Sequence, residues 1–339
     1  MTSSPGSDPG SNTVLPGIAA IRAAAARIAG EAVLTPLLES PAVNARLGGR
    51  LLIKAEPLQR TGSFKFRGAY NTLAQLSADQ RGRGVVAWSS GNHAQGVAAA
   101  AQALGMPALI VMPADAPAIK IANTRGYGAE IVLYDRIKQS REEIGARIAA
   151  ERGATIVAPY DEPHVIAGQG TCGLEIAAQA RSREIRLDAV LVCCGGGGLT
   201  AGCVTALAAE APDTKVYAVE PGEFDDTGRS LAAGHRVANR PDAKSFCDAL
   251  LAPTPGELAF QINRRLLAGA FAVSDREAAQ AMAVAFADFK LVVEPGGAVA
   301  LAAVLSGKYP IKGRTVAVVA SGGNVDRETF SRALAQVQV

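Results

Sequence analysis

The sequence predicts an α/β protein with two open, mainly parallel twisted sheets and helices on both faces. Three observations carry this reading. Short apolar runs alternate with helical segments along the 339 residues. The runs are continuously apolar rather than alternating, the pattern of strands buried on both faces. A helical segment between two of the runs stops at Gly, with Pro just beyond. Alternation of strand and helix then implies parallel neighbours joined by right-handed crossovers.

Taken in order, residues 1–13 (MTSSPGSDPGSNT) have no apolar run and read as a disordered tail, not a signal peptide. Val85–Trp88, Ala108–Met112, Glu130–Tyr134 and Thr155–Ala158 read as strands. Between the first two, Ala94–Leu104 reads as a helix that stops at Gly105, with Pro107 beyond it. A second set follows: strands Ala189–Cys194, Val216–Glu220 and Thr315–Ala320, with helices Leu199–Ala209 and Ala278–Phe289. Two sets suggest two units. A small one, residues 84–159, is expected as an insertion into a large one built from 14–83 and 160–339.

Composition excludes several function classes. With 49% apolar and 19% charged residues the chain is globular, and its net charge of +3 has interspersed signs. No basic stripe and only 5% aromatic residues argue against a nucleic-acid surface. The most apolar stretches, such as Val97–Met112, are broken by Gly, Pro or Gln before the roughly 20 residues a membrane helix needs. Cys172, Cys193, Cys194, Cys203 and Cys247 show no C-x-x-C spacing. They read as small hydrophobes in a reducing cytoplasm, with the adjacent Cys193 and Cys194 pointing to opposite faces of a strand.

Four segments carry chemistry. Thr61–Gly68 (TGSFKFRG) sets Lys65 between Phe64 and Phe66, where partial desolvation lowers an amine's pKa and makes it a better Schiff-base nucleophile. Gly195–Gly198 lies between an expected strand and an expected helix. Backbone N–H groups can turn inward there, and the helix dipole favours an anion such as phosphate. The loop is neither a Walker sequence nor a dinucleotide G-x-G-x-x-G. Ser89–His93 (SSGNH) and Ser321–Asn324 (SGGN) fall at strand ends, where doubly wound folds collect ligand groups.

In this order and spacing, TGSFKFRG, SSGNHAQG, the tetraglycine loop and SGGN resemble the fold-type II pyridoxal-phosphate enzymes, in their serine/threonine dehydratase and serine racemase branch. The likeness runs from about Leu34 to the C-terminal helix and includes VIAGQGT at Val165–Thr171 and VEPGGA at Val293–Ala298. It implies that Lys65 holds the cofactor and then moves the Cα proton. It further implies that Phe64 packs beside the pyridine ring and Asn92 meets its phenolic oxygen. Gly195, Gly196, Gly197, Gly198 and Leu199 would bind the phosphate, and Ser321 the ring nitrogen. Ser90 matches the racemase serine on the opposite face, while Ser89, Ser90, Gly91, Asn92 and His93 would hold the substrate carboxylate. A neutral Ser321 holds the ring-nitrogen proton less firmly than a carboxylate would, which favours loss of the β-hydroxyl as the Cα proton leaves.

The resemblance also implies a divalent cation, Mg or Ca, on Glu220, Asp226 and the carbonyl of Phe224, an oxygen set suited to hard cations. A solvated acidic loop is the alternative. Arg141 follows Ser140 in an S-x-x-E capping box and is either a surface arginine near Glu142 or the group that reaches a distal substrate carboxylate. The implied activity is dehydration and deamination of L-serine or L-threonine to a 2-oxo acid and ammonia. Alternatives on the same site are 3-hydroxyaspartate ammonia-lyase and serine racemase; a non-catalytic or nicotinamide-binding protein is a more distant reading. A homodimer is implied. The regulatory domain of biosynthetic threonine dehydratases is not expected after Val339, nor feedback by isoleucine.

Overall fold

The computed structural model describes residues 14–116 and 118–335, so the expected tail at 1–13 lies outside the described residues. Ten strands form two sheets: β1 (Leu37–Glu39), β2 (Arg50–Ala55), β3 (Val85–Trp88), β4 (Ala108–Pro113), β5 (Glu130–Tyr134), β6 (Thr155–Ile156), β7 (Ala189–Cys193), β8 (Lys215–Pro221), β9 (Gly269–Val273) and β10 (Thr315–Ala320). One sheet is six-stranded in the order β1-β2-β10-β7-β8-β9, the other four-stranded in the order β5-β4-β3-β6. All neighbours are parallel except β1, which pairs antiparallel with β2 as Leu37↔Lys54. The last expected strand of the first set is shorter than its sequence suggests: only Thr155 and Ile156 pair, with Val85 and Val86.

The first helices are α1 (Ile18–Ile28), α2 (Pro41–Leu47), α3 (Lys65–Leu73), α4 (Ala78–Arg83) and α5 (Asn92–Ala103). Then come α6 (Ala118–Gly126), α7 (Arg141–Arg152), α8 (Pro163–Ser182), α9 (Gly198–Glu210) and α10 (Asp226–Ala233). The chain ends with α11 (Glu257–Leu266), α12 (Asp275–Phe289), α13 (Pro295–Leu305) and α14 (Arg327–Ala335). Helix α13 is buried from Pro295 to Val304, because it is sandwiched between the large sheet and α12. The large sheet's core therefore has two layers. Leu51, Ile53, Leu191 and Val318 pack toward α12 and α13, and Leu52, Val190, Val192 and Val319 toward α8 and α9. Phe66, Val97, Ile110 and Met112 belong to a separate core beside the four-stranded sheet.

Helix α3 is fastened by a buried ionic network. The fully buried Arg67 donates to Glu56 through Nε (2.8 Å) and to Glu175 through Nη1 (2.6 Å), and Lys54 donates to Glu175 at 2.6 Å. A guanidinium can be buried only when its donors are met in this way. The consequence is positional: the helix that begins with Lys65 is locked to β2 and α8. All five cysteines are free and buried, and the neighbours Cys193 and Cys194 meet different partners, the carbonyls of Gly297 and Val319 for one and Thr227 for the other.

Candidate active site

The C-terminal ends of β3, β7 and β10 deliver Ser89, Gly195 and Ser321 to one cavity of about 280 Å³. Its wall holds Phe64, Lys65, Ser90, Gly91, Asn92, His93, Gly196, Gly197, Gly198 and Leu199, so the four sequence segments meet at one place. Arg141 lines the same cavity, whereas Glu220, Phe224 and Asp226 do not.

Lys65 opens α3, and its Nζ donates to the Pro159 carbonyl at 2.6 Å and lies 5.1 Å from the centre of the Phe64 ring. Burial lowers its pKa to about 8, against the opposing pull of Glu294. His93 Nε2 lies 2.9 Å from the Val157 carbonyl; since a carbonyl only accepts, that nitrogen carries the proton. Burial and the nearby Lys65 push the pKa of His93 down to about 3, so it is a neutral framing group. Helix α5 starts at Asn92 with Gly91 as N-cap and no side-chain cap, leaving its first N–H groups for a ligand.

The glycine loop is built for a guest. Gly197 sits at φ +89° as N-cap of α9, again without a side-chain cap. A Cβ on Gly196 would run into the Tyr160 ring, and one on Gly198 would lie 2.5 Å from the Tyr160 carbonyl. Two buried polar atoms on residues of the cavity wall, Gln169 Nε2 and Glu294 Oε2, have no partner in the protein. Pyridoxal phosphate needs an amine to hold it, N–H donors for its phosphate and a polar partner for its ring nitrogen; Lys65, the uncapped glycine-rich helix start and Ser321 fit those needs.

Arg141 is the first residue of α7 with Ser140 as N-cap, accepting from Glu143 N at 3.2 Å. The return half of the expected capping box is not made, and Arg141 instead donates to Glu142 at 2.8 Å with its side chain 44% exposed. Three cavity residues carried no sequence signal. Lys120 on α6 and Asp248 in the turn Asp248–Leu250 pair at 2.5 Å, and Arg136, paired with Asp115, lines the same cavity. They come from separate segments, and only folding brings them together.

The second set lies where β8 ends and α10 begins. Both Glu220 oxygens accept backbone N–H groups, from Thr227 at 2.8 Å and Gly228 at 2.9 Å. Asp226 accepts from Asn239 through Oδ1 at 2.6 Å, and its buried Oδ2 has no partner. Burial and then Asp226 push Glu220 up to about 8, while burial pushes Asp226 up to about 6. Among the described residues no three His, Cys, Asp or Glu side chains gather as a metal cluster. Of the carboxylate oxygens expected to ligate a cation, Asp226 Oδ2 has no partner, whereas both Glu220 oxygens already accept backbone N–H groups.

Among the described residues no helix is long and apolar enough to cross a membrane. Residues 28–322 match the family described as pyridoxal-phosphate dependent enzyme. The chain is 43% identical over 311 residues to an L-threo-3-hydroxyaspartate ammonia-lyase of a Pseudomonas species, covering 92% of this chain and 96% of the relative. It is 40% identical over 325 residues to a serine racemase of Schizosaccharomyces pombe, covering 96% and 99%. Among solved structures, a threonine deaminase of T.th. aligns with TM-score 0.87 and 45% identity, covering 92% of this chain and 99% of that one.

Proposed function

The chain belongs to the family of pyridoxal-phosphate dependent enzymes, and on that premise we propose that it is an ammonia-lyase of small β-hydroxy-amino acids. The observation that supports this most is the single cavity in which the Lys65 amine, the glycine loop, Ser321 and the SSGNH segment meet. Lys65 would hold the cofactor, Gly195–Leu199 its phosphate, Asn92 its phenolic oxygen, Ser321 its ring nitrogen, and Phe64 would flank the ring. When bound, the cofactor supplies an electron sink joined to the substrate's Cα.

The chain's own groups do the rest. Ser89 to His93 at the start of α5 offer N–H and hydroxyl donors to the α-carboxylate. Lys65 Nζ, whose burial brings its pKa down to about 8, would take the Cα proton, and its free-amine fraction grows as pH rises toward that value. Loss of that proton and of the β-hydroxyl removes water, and hydrolysis of the enamine product yields a 2-oxo acid and ammonia. Ser90 lines the same cavity and would return a proton to Cα from the other side, which is the racemase alternative. Arg141 would meet the second carboxylate of 3-hydroxyaspartate, a charge-assisted contact of about 1.5–3 kcal/mol.

A divalent cation, Mg or Ca, on Glu220, Asp226 and the Phe224 carbonyl is part of the same proposal, supported by the partnerless Asp226 Oδ2. A homodimer, on the family resemblance, and a cytoplasmic location, on the five unpaired cysteines, belong to it as well.

The deciding experiment measures 2-oxo acid and ammonia from L-serine, L-threonine and both 3-hydroxyaspartate diastereomers, with D-serine formation followed in parallel. Water-eliminating turnover of at least one substrate is expected, lost in Lys65→Ala. Arg141→Met should depress kcat/KM about 10- to 100-fold for 3-hydroxyaspartate alone. Normal turnover by Lys65→Ala would overturn the assignment.

A further inference from the structure

The VEPGGA segment places a carboxyl group in the cavity wall to which the mechanism above gives no task. Glu294 is the N-cap of α13 and only 1% exposed, yet it caps nothing with its side chain. Its backbone N–H donates to Gly322 O at 3.0 Å, tying it to the SGGN segment. Its Oε1 accepts from Asn92 Nδ2 at 2.5 Å, and its Oε2 is buried with no partner.

Asn92 is held from both ends. Asn324 donates to Asn92 Oδ1 at 2.8 Å and to the Thr61 carbonyl at 2.8 Å. Thr61 has φ 70°, a left-handed conformation rare outside glycine, in the turn that leads to Lys65. Glu294, Asn92, Asn324 and Thr61 therefore form one chain of hydrogen bonds that links TGSFKFRG, SSGNH and SGGN and leaves out only the glycine loop. Two neighbours show how little freedom it has. A Cβ on Gly62 would lie 2.6 Å from Asn324 Oδ1, and one on Gly322 would run into Glu294 Oε1.

The amide's direction follows from this geometry. An ionised carboxylate only accepts, so Asn92 must present Nδ2 to Glu294, and its Oδ1 already receives Asn324. One Nδ2 hydrogen remains for a ligand in the cavity. We propose that Glu294 is a positioning residue of the cofactor site: it fixes the Asn92 amide so that the remaining N–H points to the ligand's ring oxygen, and its second oxygen takes up a proton that retunes that contact. The inference rests on the cofactor assignment above and adds a residue to it.

Charged groups facing Glu294 come from three elements: Lys65 on α3, Lys120 on α6 and Asp248 in the turn Asp248–Leu250. Burial first, then Asp248, raises its pKa to about 7, while Lys120 and Lys65 pull the other way. A carboxyl with a raised pKa is protonated below that value, so the proton is carried on the acid side of neutrality and released above it.

The test uses cofactor-loaded protein and reads its visible absorption band against pH, together with cofactor loss on dialysis. In the parent the band should change position or intensity in a step at or above pH 7, since cofactor loading takes away the free Lys65 ammonium that pulls Glu294 down. Glu294→Gln keeps an acceptor for Asn92 but cannot ionise; it should retain cofactor within about twofold and lose the step. Glu294→Ala should lose cofactor roughly tenfold more readily, in line with removal of a hydrogen bond to a charged group. An unchanged step in Glu294→Gln, or undiminished retention in Glu294→Ala, would overturn the proposal. If Glu294→Ala does not fold, the Gln variant alone decides. A parent protein that binds no pyridoxal phosphate would instead refute the cofactor assignment itself.

Discussion

At Lys65 burial and charge act in opposite directions, and burial wins. Removing the ammonium from water lowers its pKa to about 8 even though Glu294 would stabilise the charge. Only the free amine is a nucleophile, and its fraction grows as pH rises through the pKa. In cofactor-free protein the acylation rate of Lys65 should therefore climb to a plateau just above pH 8, where an ordinary lysine, with pKa near 10.4, is still climbing. Peptide mass spectrometry of partly acylated protein reads this directly, and a Lys65 rate that keeps rising past pH 10 would remove the claim of a tuned amine. Local sequence foretold this residue because its aromatic neighbour, its loop and its helix start are all within a few positions. It could not foretell Lys120 and Asp248, which lie 128 positions apart and pair only after both segments are in place. Nor did it assign Glu294 a role, since a carboxylate at a helix start reads as a cap until its side chain is seen turned into the cavity.

Among the helices, packing distance is set where the chain lacks side chains. Gly202 on α9 faces α8 so closely that a Cβ would lie 2.5 Å from both Gly170 N and Ile166 O. Gly168 on α8 meets α3, where a Cβ would fall 2.7 Å from Arg67 O. The VIAGQGT segment is thus a contact surface that brings α3, and with it Lys65, against the large sheet. Gly202→Ala should cost about 1–3 kcal/mol, the usual penalty for overpacking against backbone that cannot yield. Gly126→Ala, in α6 with nothing within 4 Å of the added carbon, is the control and should leave stability unchanged or slightly raised. Urea unfolding of both variants separates them; equal midpoints would mean the helices can part without loss. Strands β3, β4, β7 and β10 were legible because they are central, almost unbroken apolar runs, and the edge strand β5 because Ile131, Val132 and Leu133 form one despite its exposed Glu130. β1 has three residues at an antiparallel edge, and β9 (GAFAV) is mostly half-buried at the other edge, so neither shows a clear periodicity. β2 carries the fully buried Lys54, paired with the part-buried Glu175, a charge that argues against a buried strand until its partner is known.

Across the whole molecule, the two sheets divide the work. The four-stranded sheet supplies the SSGNH segment and Arg141's surroundings, and the six-stranded sheet supplies the glycine loop and Ser321. The carboxylate pair Glu220 and Asp226 belongs to the six-stranded sheet and α10, outside the cavity wall, so a cation there would act on the fold more than on the reacting atoms. Folding brings the two carboxyl groups together in a buried place where Asp226 adds to the cost of ionising Glu220, and leaves Asp226 Oδ2 without a donor. A cation that binds only the folded chain relieves both penalties. At a free concentration 100 times its Kd it adds about 2.7 kcal/mol to stability, which for a chain of this size is a rise in Tm on the order of 5 °C. Chelator should therefore lower Tm by that order and Mg or Ca should restore it, the better-fitting ion at the lower concentration. The Glu220→Gln/Asp226→Asn protein removes the negative charge while keeping the volume, so its Tm should ignore both chelator and cation. Its baseline stability should fall, because a Gln amide can accept from only one of the Thr227 and Gly228 N–H groups that Glu220 now holds. A double variant that responds to chelator like the parent would place the cation elsewhere, and a parent indifferent to chelator and to both ions would leave Glu220 and Asp226 as a hydrogen-bonded cap on α10.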